Sequence, residues 1–97
     1  MSSASGTVTA NGEAVTATSN VRGDKLHNWT VHIWGTFSGV LTIQVGDRDG
    51  TASAYVDLET QNAPAVRNGQ FTGGHSIKVI GGSWVSGTAN VAIHIAD

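Results

Sequence analysis

The chain has no cysteine, a single proline, only three leucines and few charges, and each scarcity removes something. Without cysteine, neither a disulfide nor a thiolate zinc site can staple the fold. Its 97 residues must therefore rely on one packed core or on neighbouring subunits. Charged residues make up 12% of the chain, about half the share of an ordinary soluble domain. The net charge is −2, and the five basic residues (Arg22, Lys25, Arg48, Arg67 and Lys78) are scattered. No cationic patch for nucleic acid or anionic lipid is expected. No apolar run approaches the ~20 residues that span a bilayer, and residues 1–6 lack the basic and apolar blocks of a secretory signal. The expectation is a soluble protein with no membrane partner. Its weakly charged surface, rich in Thr, Ser, Ala and Gly, suggests that part of it is covered by partners.

What is abundant favours strands. Valine, isoleucine and threonine supply 28 residues, against four for Glu plus Lys. Branched β-carbons fit a pleated, half-buried surface and lose freedom in a helix. Thirteen glycines punctuate the chain, as short strands joined by tight turns require. Asn11-Gly12, flanked by strand-like residues 7–10 and 13–18, predicts a hairpin, because a type I′ turn needs positive φ at both central positions. Residues 19–27 read as a loop.

Residues 28–34 alternate, with Trp29, Val31 and Ile33 on one face and Thr30, His32 and Trp34 on the other. A turn over residues 35–39 leads to a strand with Leu41, Ile43 and Val45 inward. Asp47-Arg48-Asp49-Gly50 predicts a turn. Ala54, Val56 and Leu58 mark a further strand, residues 59–69 a surface loop, and Ile77 with Val79 a strand ended by Gly81-Gly82. Val91, Ile93 and Ile95 close the chain. The prediction is an all-β chain: a single-domain antiparallel β-sandwich of about seven short strands over residues 1–97. Its core comprises the inward residues named, from Trp29 to Ile95, Val56 and Leu58 among them. Residues 1–20 are expected to form an N-terminal hairpin or arm. Too slight to stand alone, it should add to a sheet edge of its own sandwich or of a neighbour, serving assembly contacts.

Residues 37–45 and 85–93 echo each other: an apolar residue, Ser-Gly, then an alternating strand, each shortly after a tryptophan (Trp34, Trp84). The first segment, from Gly35-Thr36-Phe37-Ser38-Gly39 through Val45 and on to Asp49-Gly50, resembles a pattern found in small β-sandwich virion proteins of tailed phages. Ser86-Gly87-Thr88-Ala89-Asn90-Val91-Ala92-Ile93 is similar to their C-terminal strand, and Gly73-Gly74 with Ile77-Lys78-Val79 to their glycine-rich turn and following strand. The likeness spans residues 35–95. Gly46, Asp47 and Arg48 depart from it where that pattern has a serine and an aromatic. The resemblance implies a virion structural protein: a capsid decoration (cement) protein, or a tail or fibre component. The major capsid protein or other virion proteins would then be its partners, and a homodimer or homotrimer its working form.

Catalysis is not expected. No nucleophile-elbow sequence is present. Asp57 and Glu59, two apart in a strand and so on one face, have no opposing acidic pair. Asp47-Arg48-Asp49-Gly50 mimics a calcium loop, but Leu58 stands where the bidentate Glu belongs. His32 and His94 point outward on their strands and could meet a metal, yet no close His/Asp spacing supports this, and they read as surface or interface residues. No cofactor and no metal are expected. Trp34 is outward or at a strand end, and Trp84 sits in a Gly-Ser segment. Tryptophans so placed either stack on sugars, anchor a protein interface, or cap the ends of the sandwich. Trp34, Trp84, His32 and His94 are therefore the interface or ligand candidates. Two functions follow: a capsid decoration protein working through buried interface, and alternatively a carbohydrate-binding or tail-fibre/baseplate β-sandwich module.

Overall fold

The computed structural model describes residues 2–19, 26–47, 55–72 and 75–96. All its regular elements are strands: β1 (Ser2–Val8), β2 (Ala14–Thr18), β3 (Leu26–Asp47), β4 (Val56–Gln61), β5 (Ala65–Thr72) and β6 (His75–Ala96). The 22-residue strands β3 and β6 pair antiparallel along almost their whole length. The register shifts between Ser38 and Val40, so that Gly39 alone opposes residues 83–85. A bulge of this kind bends a strand and lets it pass from one sheet to another.

The long ribbon folds at that corner into two four-stranded layers. In the first, β1 and β5 flank residues 89–96 of β6 and 26–33 of β3. In the second, β2 and β4 flank residues 76–80 of β6 and 41–45 of β3. The predicted antiparallel β-sandwich is the fold, but among the described residues its strands number six, fewer and longer than the seven or so expected. Residues 35–39 and Gly81-Gly82, read as turns, lie inside β3 and β6. The echo between residues 37–45 and 85–93 marks the corner itself, where Ser38 faces Ser86.

Alternation survives the bend, because odd-numbered residues stay inward on both sides of it. Trp29, Val31, Ile33, Leu41, Ile43, Ile77, Val79, Val91, Ile93 and Ile95 are buried and form one core with Val8, Val15, Ala17 and Ala89. Each large aliphatic so buried contributes about 1.5–3 kcal/mol. Val45 packs against this core only partly buried. Gly69 stands opposite Trp29, and a Cβ there would lie 2.6 Å from the indole, so the ring needs glycine beneath it.

Val56 and Leu58 are exposed, contrary to the predicted core. A shift in the β3–β4 register between Ile43 and Gln44 leaves Leu58 as the extra residue and brings Glu59 and Gln61 opposite Ile43 and Leu41. The same bulge parts Asp57 from Glu59: Asp57 opposes outward Gln44, while Glu59 takes a core-facing position. Residues 59–69 are mostly strand, with only residues 62–64 turning between β4 and β5.

A turn forms at Asn11-Gly12, but only Gly12, at φ 84°, has the positive φ that a type I′ turn needs at both central positions, and the expected β1–β2 ladder does not form. Both strands pair with β6, one in each layer, so the segment crosses beside the corner instead of doubling back on itself. Gly12 N donates to Gly81 O and Gly81 N to Glu13 O, both at 2.9 Å, and Asn11 Oδ1 accepts from Trp84 N at 2.7 Å. The edge to which this segment adds belongs to its own sandwich. The predicted Asp47-Arg48-Asp49-Gly50 turn, the Gly73-Gly74 turn and most of the 19–27 loop lie outside the described residues.

Candidate functional site

The two outer faces differ in chemistry. On the second layer, Lys78 lies 4.2 Å over the Tyr55 ring, and Gln44 Nε2 donates to Asp57 Oδ1 at 2.8 Å. Tyr55 in turn covers Gly46, where a Cβ would lie 2.9 Å from its ring. That face is charged and partly closed by its own side chains.

The outer face of the first layer carries no charged side chain among the described residues. Register aligns it in rows across the strands: Asn28 with Gln70; Ser3, His94, Thr30 and Asn68; Ser5, Ala92, His32 and Val66; Thr7, Asn90 and Trp34. Trp34 is 42% exposed. Two residues apart on one strand, Trp34 and His32 share this face, with ring centroids 4.8 Å apart and planes inclined by 44°. They form a short aromatic strip bordered by Thr36, Asn90, Thr30 and Val66. Gly35, at φ 110°, sits where a Cβ would come within 2.9 Å of the Asn90 amide. That amide donates to Trp34 O at 3.5 Å. Glycine here lets the Asn90 side chain lie close beside the tryptophan's backbone.

Trp84 has a different setting. It stacks on Phe37 with centroids 5.5 Å apart and planes 7° from parallel. It also lies over Gly39, where a Cβ would come within 2.3 Å of its ring. Its Nε1 donates to Gly87 O at 3.2 Å. Half-buried and packed on the core, it fills the inside of the corner. Of the four candidates, three therefore share the first-layer face (Trp34, His32 and His94) and Trp84 does not. His94 opposes Thr30 and His32 opposes Ala92, so the two imidazoles are diagonal neighbours. Among the described residues no group of three or more His, Asp or Glu side chains comes together.

Asn28, Asn68 and Gln70 escape the sequence reading, and Thr30 follows from it only as an outward position. Together with Trp29 and Gly69 they line a shallow depression of about 430 Å³. Before Phe71, residues 65–72 show no run of inward apolar side chains to announce a strand, because Arg67 takes one inward position and Gly69 yields another to the Trp29 ring.

No protein-family pattern and no characterised protein matches this sequence. Among solved structures, TmCBM61, a carbohydrate-binding module solved with β-1,4-galactotriose, superimposes with a TM-score of 0.56 at 9% identity, covering 92% of this chain and 67% of that one. The likeness is one of fold. A CBM4 module gives 0.49 at 13% identity over 94% of this chain and 79% of that one. The enzymatically active domain of tailspike protein 4 from bacteriophage CBA120 gives 0.47 at 16% identity over 92% of this chain but 15% of that one.

Proposed function

We propose that this chain is a non-catalytic module that binds glycan on the outer face of its first layer, with Trp34 and His32 as the stacking platform. The observation that carries the reading is the exposed Trp34–His32 strip on a face that, among the described residues, bears no charged side chain and surrounds the strip mostly with hydrogen-bonding groups, Val66 and Ala92 apart. Sugar rings present apolar C–H faces to an aromatic plane, and their hydroxyls need neutral donors and acceptors around it. The fold shared with a carbohydrate-binding module supports the same reading.

A virion setting belongs to the proposal through the sequence resemblance alone. Within it, a tail-fibre or tailspike position suits a glycan-binding face better than capsid decoration, which no observation favours. A homodimer or homotrimer would multiply a weak site by holding several copies against one surface. The test is retardation in native gels cast with polysaccharide. Wild type is expected to be slowed by at least one neutral polysaccharide and the folded Trp34→Ala variant is not. Equal mobility of the two proteins in every gel contradicts the reading.

A further inference from the structure

We propose that Asn28, Asn68 and Gln70 form a second anchor on the Trp34 face, so that the ligand is a linear, uncharged, hydroxyl-rich oligosaccharide lying along the first half of β3. This rests on the glycan-binding reading above and specifies its substrate class.

The depression lined by Asn28, Thr30, Asn68 and Gln70 opens on the same layer as the aromatic strip. Register places Asn28 opposite Gln70 and Thr30 opposite Asn68. Three amides and a hydroxyl thus stand in two adjacent rows. Gln70 Nε2 donates to Asn28 Oδ1 at 2.8 Å. That bond fixes both amides and leaves the Asn28 NH₂ as donor and the Gln70 carbonyl as acceptor. Asn68 adds one of each. Neighbouring hydroxyls on a sugar ring are each donor and acceptor, which a pair of fixed amides matches and a lone charge does not.

Trp34 and Asn28 are six positions apart, a span of about 20 Å along the strand. That is longer than two linked pyranose rings, so a ligand touching both anchors must be longer than a disaccharide. Charge selects in the same direction. A polyanion would need a cation on this face to offset its desolvation, and a polycation a carboxylate. Among the described residues the nearest charges are turned elsewhere: Arg67 is paired with Glu59, and Lys78 and Asp57 stand on the other layer.

The experiment runs native gels of the 97-residue chain cast with β-1,4-galactan, glucomannan, hydroxyethylcellulose or dextran, and with polygalacturonate or alginate as acidic counterparts. Expected is retardation by a neutral polysaccharide and by neither acidic one. The Asn28→Ala/Gln70→Ala variant should lose about fivefold or more in affinity, the equivalent of one or two hydrogen bonds, with an unchanged melting curve. The tetrasaccharide of the retarding polymer should compete at least about tenfold better than its disaccharide. If no polysaccharide retards the protein, the glycan reading itself fails. If Trp34→Ala abolishes retardation while the double variant binds normally, or the disaccharide competes equally well, only the second anchor is overturned. Retardation by an acidic polymer alone overturns the uncharged substrate class.

Discussion

Arg67 holds Glu59 through two hydrogen bonds, Nε to Oε1 at 2.6 Å and Nη2 to Oε2 at 3.2 Å, joining the edge strands of the two layers. Arg67 stands opposite Val31 and Glu59 opposite Ile43, so both occupy core-facing positions where the core meets solvent. Charges turned inward on edge strands discourage pairing with another chain, and a bidentate pair gives this rim a fixed geometry.

The pair makes stability depend on pH. The hydrogen bond from Arg67 holds the Glu59 carboxyl below its ordinary value. A depressed carboxyl contributes stability above its unfolded value, about 4.3, and loses it as pH falls through the folded one. Glu13, which accepts from the Thr9 hydroxyl and amide at 2.6 Å, is lowered in the same way. Thermal melts of wild type and Glu59→Gln from pH 7 to pH 3 should show a small gap at neutral pH that closes below about pH 4. A gap that widens on acidification contradicts this account of the rim.

The corrected β4 register separates two substitutions that the sequence alone treats alike. Ile43→Asp buries an unpaired charge in a fully enclosed site and should unfold the domain. Leu58→Asp falls on an exposed bulge residue and should change stability by no more than about 0.5 kcal/mol. Denaturant titration distinguishes them. Equal damage from both would restore Leu58 to the core.

At the corner, Gly39 and Gly82 make a matched pair. A Cβ on Gly39 collides with Trp84, whereas one on Gly82 meets nothing within 4 Å. Gly39→Ala should cost about 1–3 kcal/mol through overpacking and shift Trp84 fluorescence. Gly82→Ala should leave both unchanged.

The tryptophans should part company in the same manner. Trp84→Ala removes the ring that fills the corner and should destabilise by about 3 kcal/mol. Trp34→Ala should leave the melting temperature within a degree or two, a shift worth well under 1 kcal/mol. Comparable melting losses would mean that Trp34 serves the fold and not a ligand.

Most of the fold is legible in the residues themselves. Alternation picks out the inward face of β3 and β6 from Trp29 to Ile95, because a period of two persists wherever one face is buried. The corner escapes because glycine pairs signal turns and bulges alike: Gly81-Gly82 and residues 35–39 read as chain reversals, yet the ladder runs through them. Asn11-Gly12 announces a turn and the positive φ of Gly12 but neither the turn type nor its partner, since the pairing of β1 and β2 with β6 depends on a bend remote in sequence. Of the candidate face, Trp34, His32 and His94 follow from parity alone. The amides of Asn28, Asn68 and Gln70 become neighbours only through the β3–β5 register, which no local pattern encodes.

The central claim is that the uncharged Trp34 face is the binding surface. Amide chemical-shift mapping during titration with the tetrasaccharide of the retarding neutral polysaccharide tests it residue by residue. Shifts should concentrate at Asn28, Thr30, His32 and Trp34 of β3, at Asn90 and His94 of β6, and at Asn68 and Gln70 of β5, with β2 and β4 unaffected. Shifts confined to the Tyr55–Lys78 face, or none anywhere at saturating sugar, would contradict it.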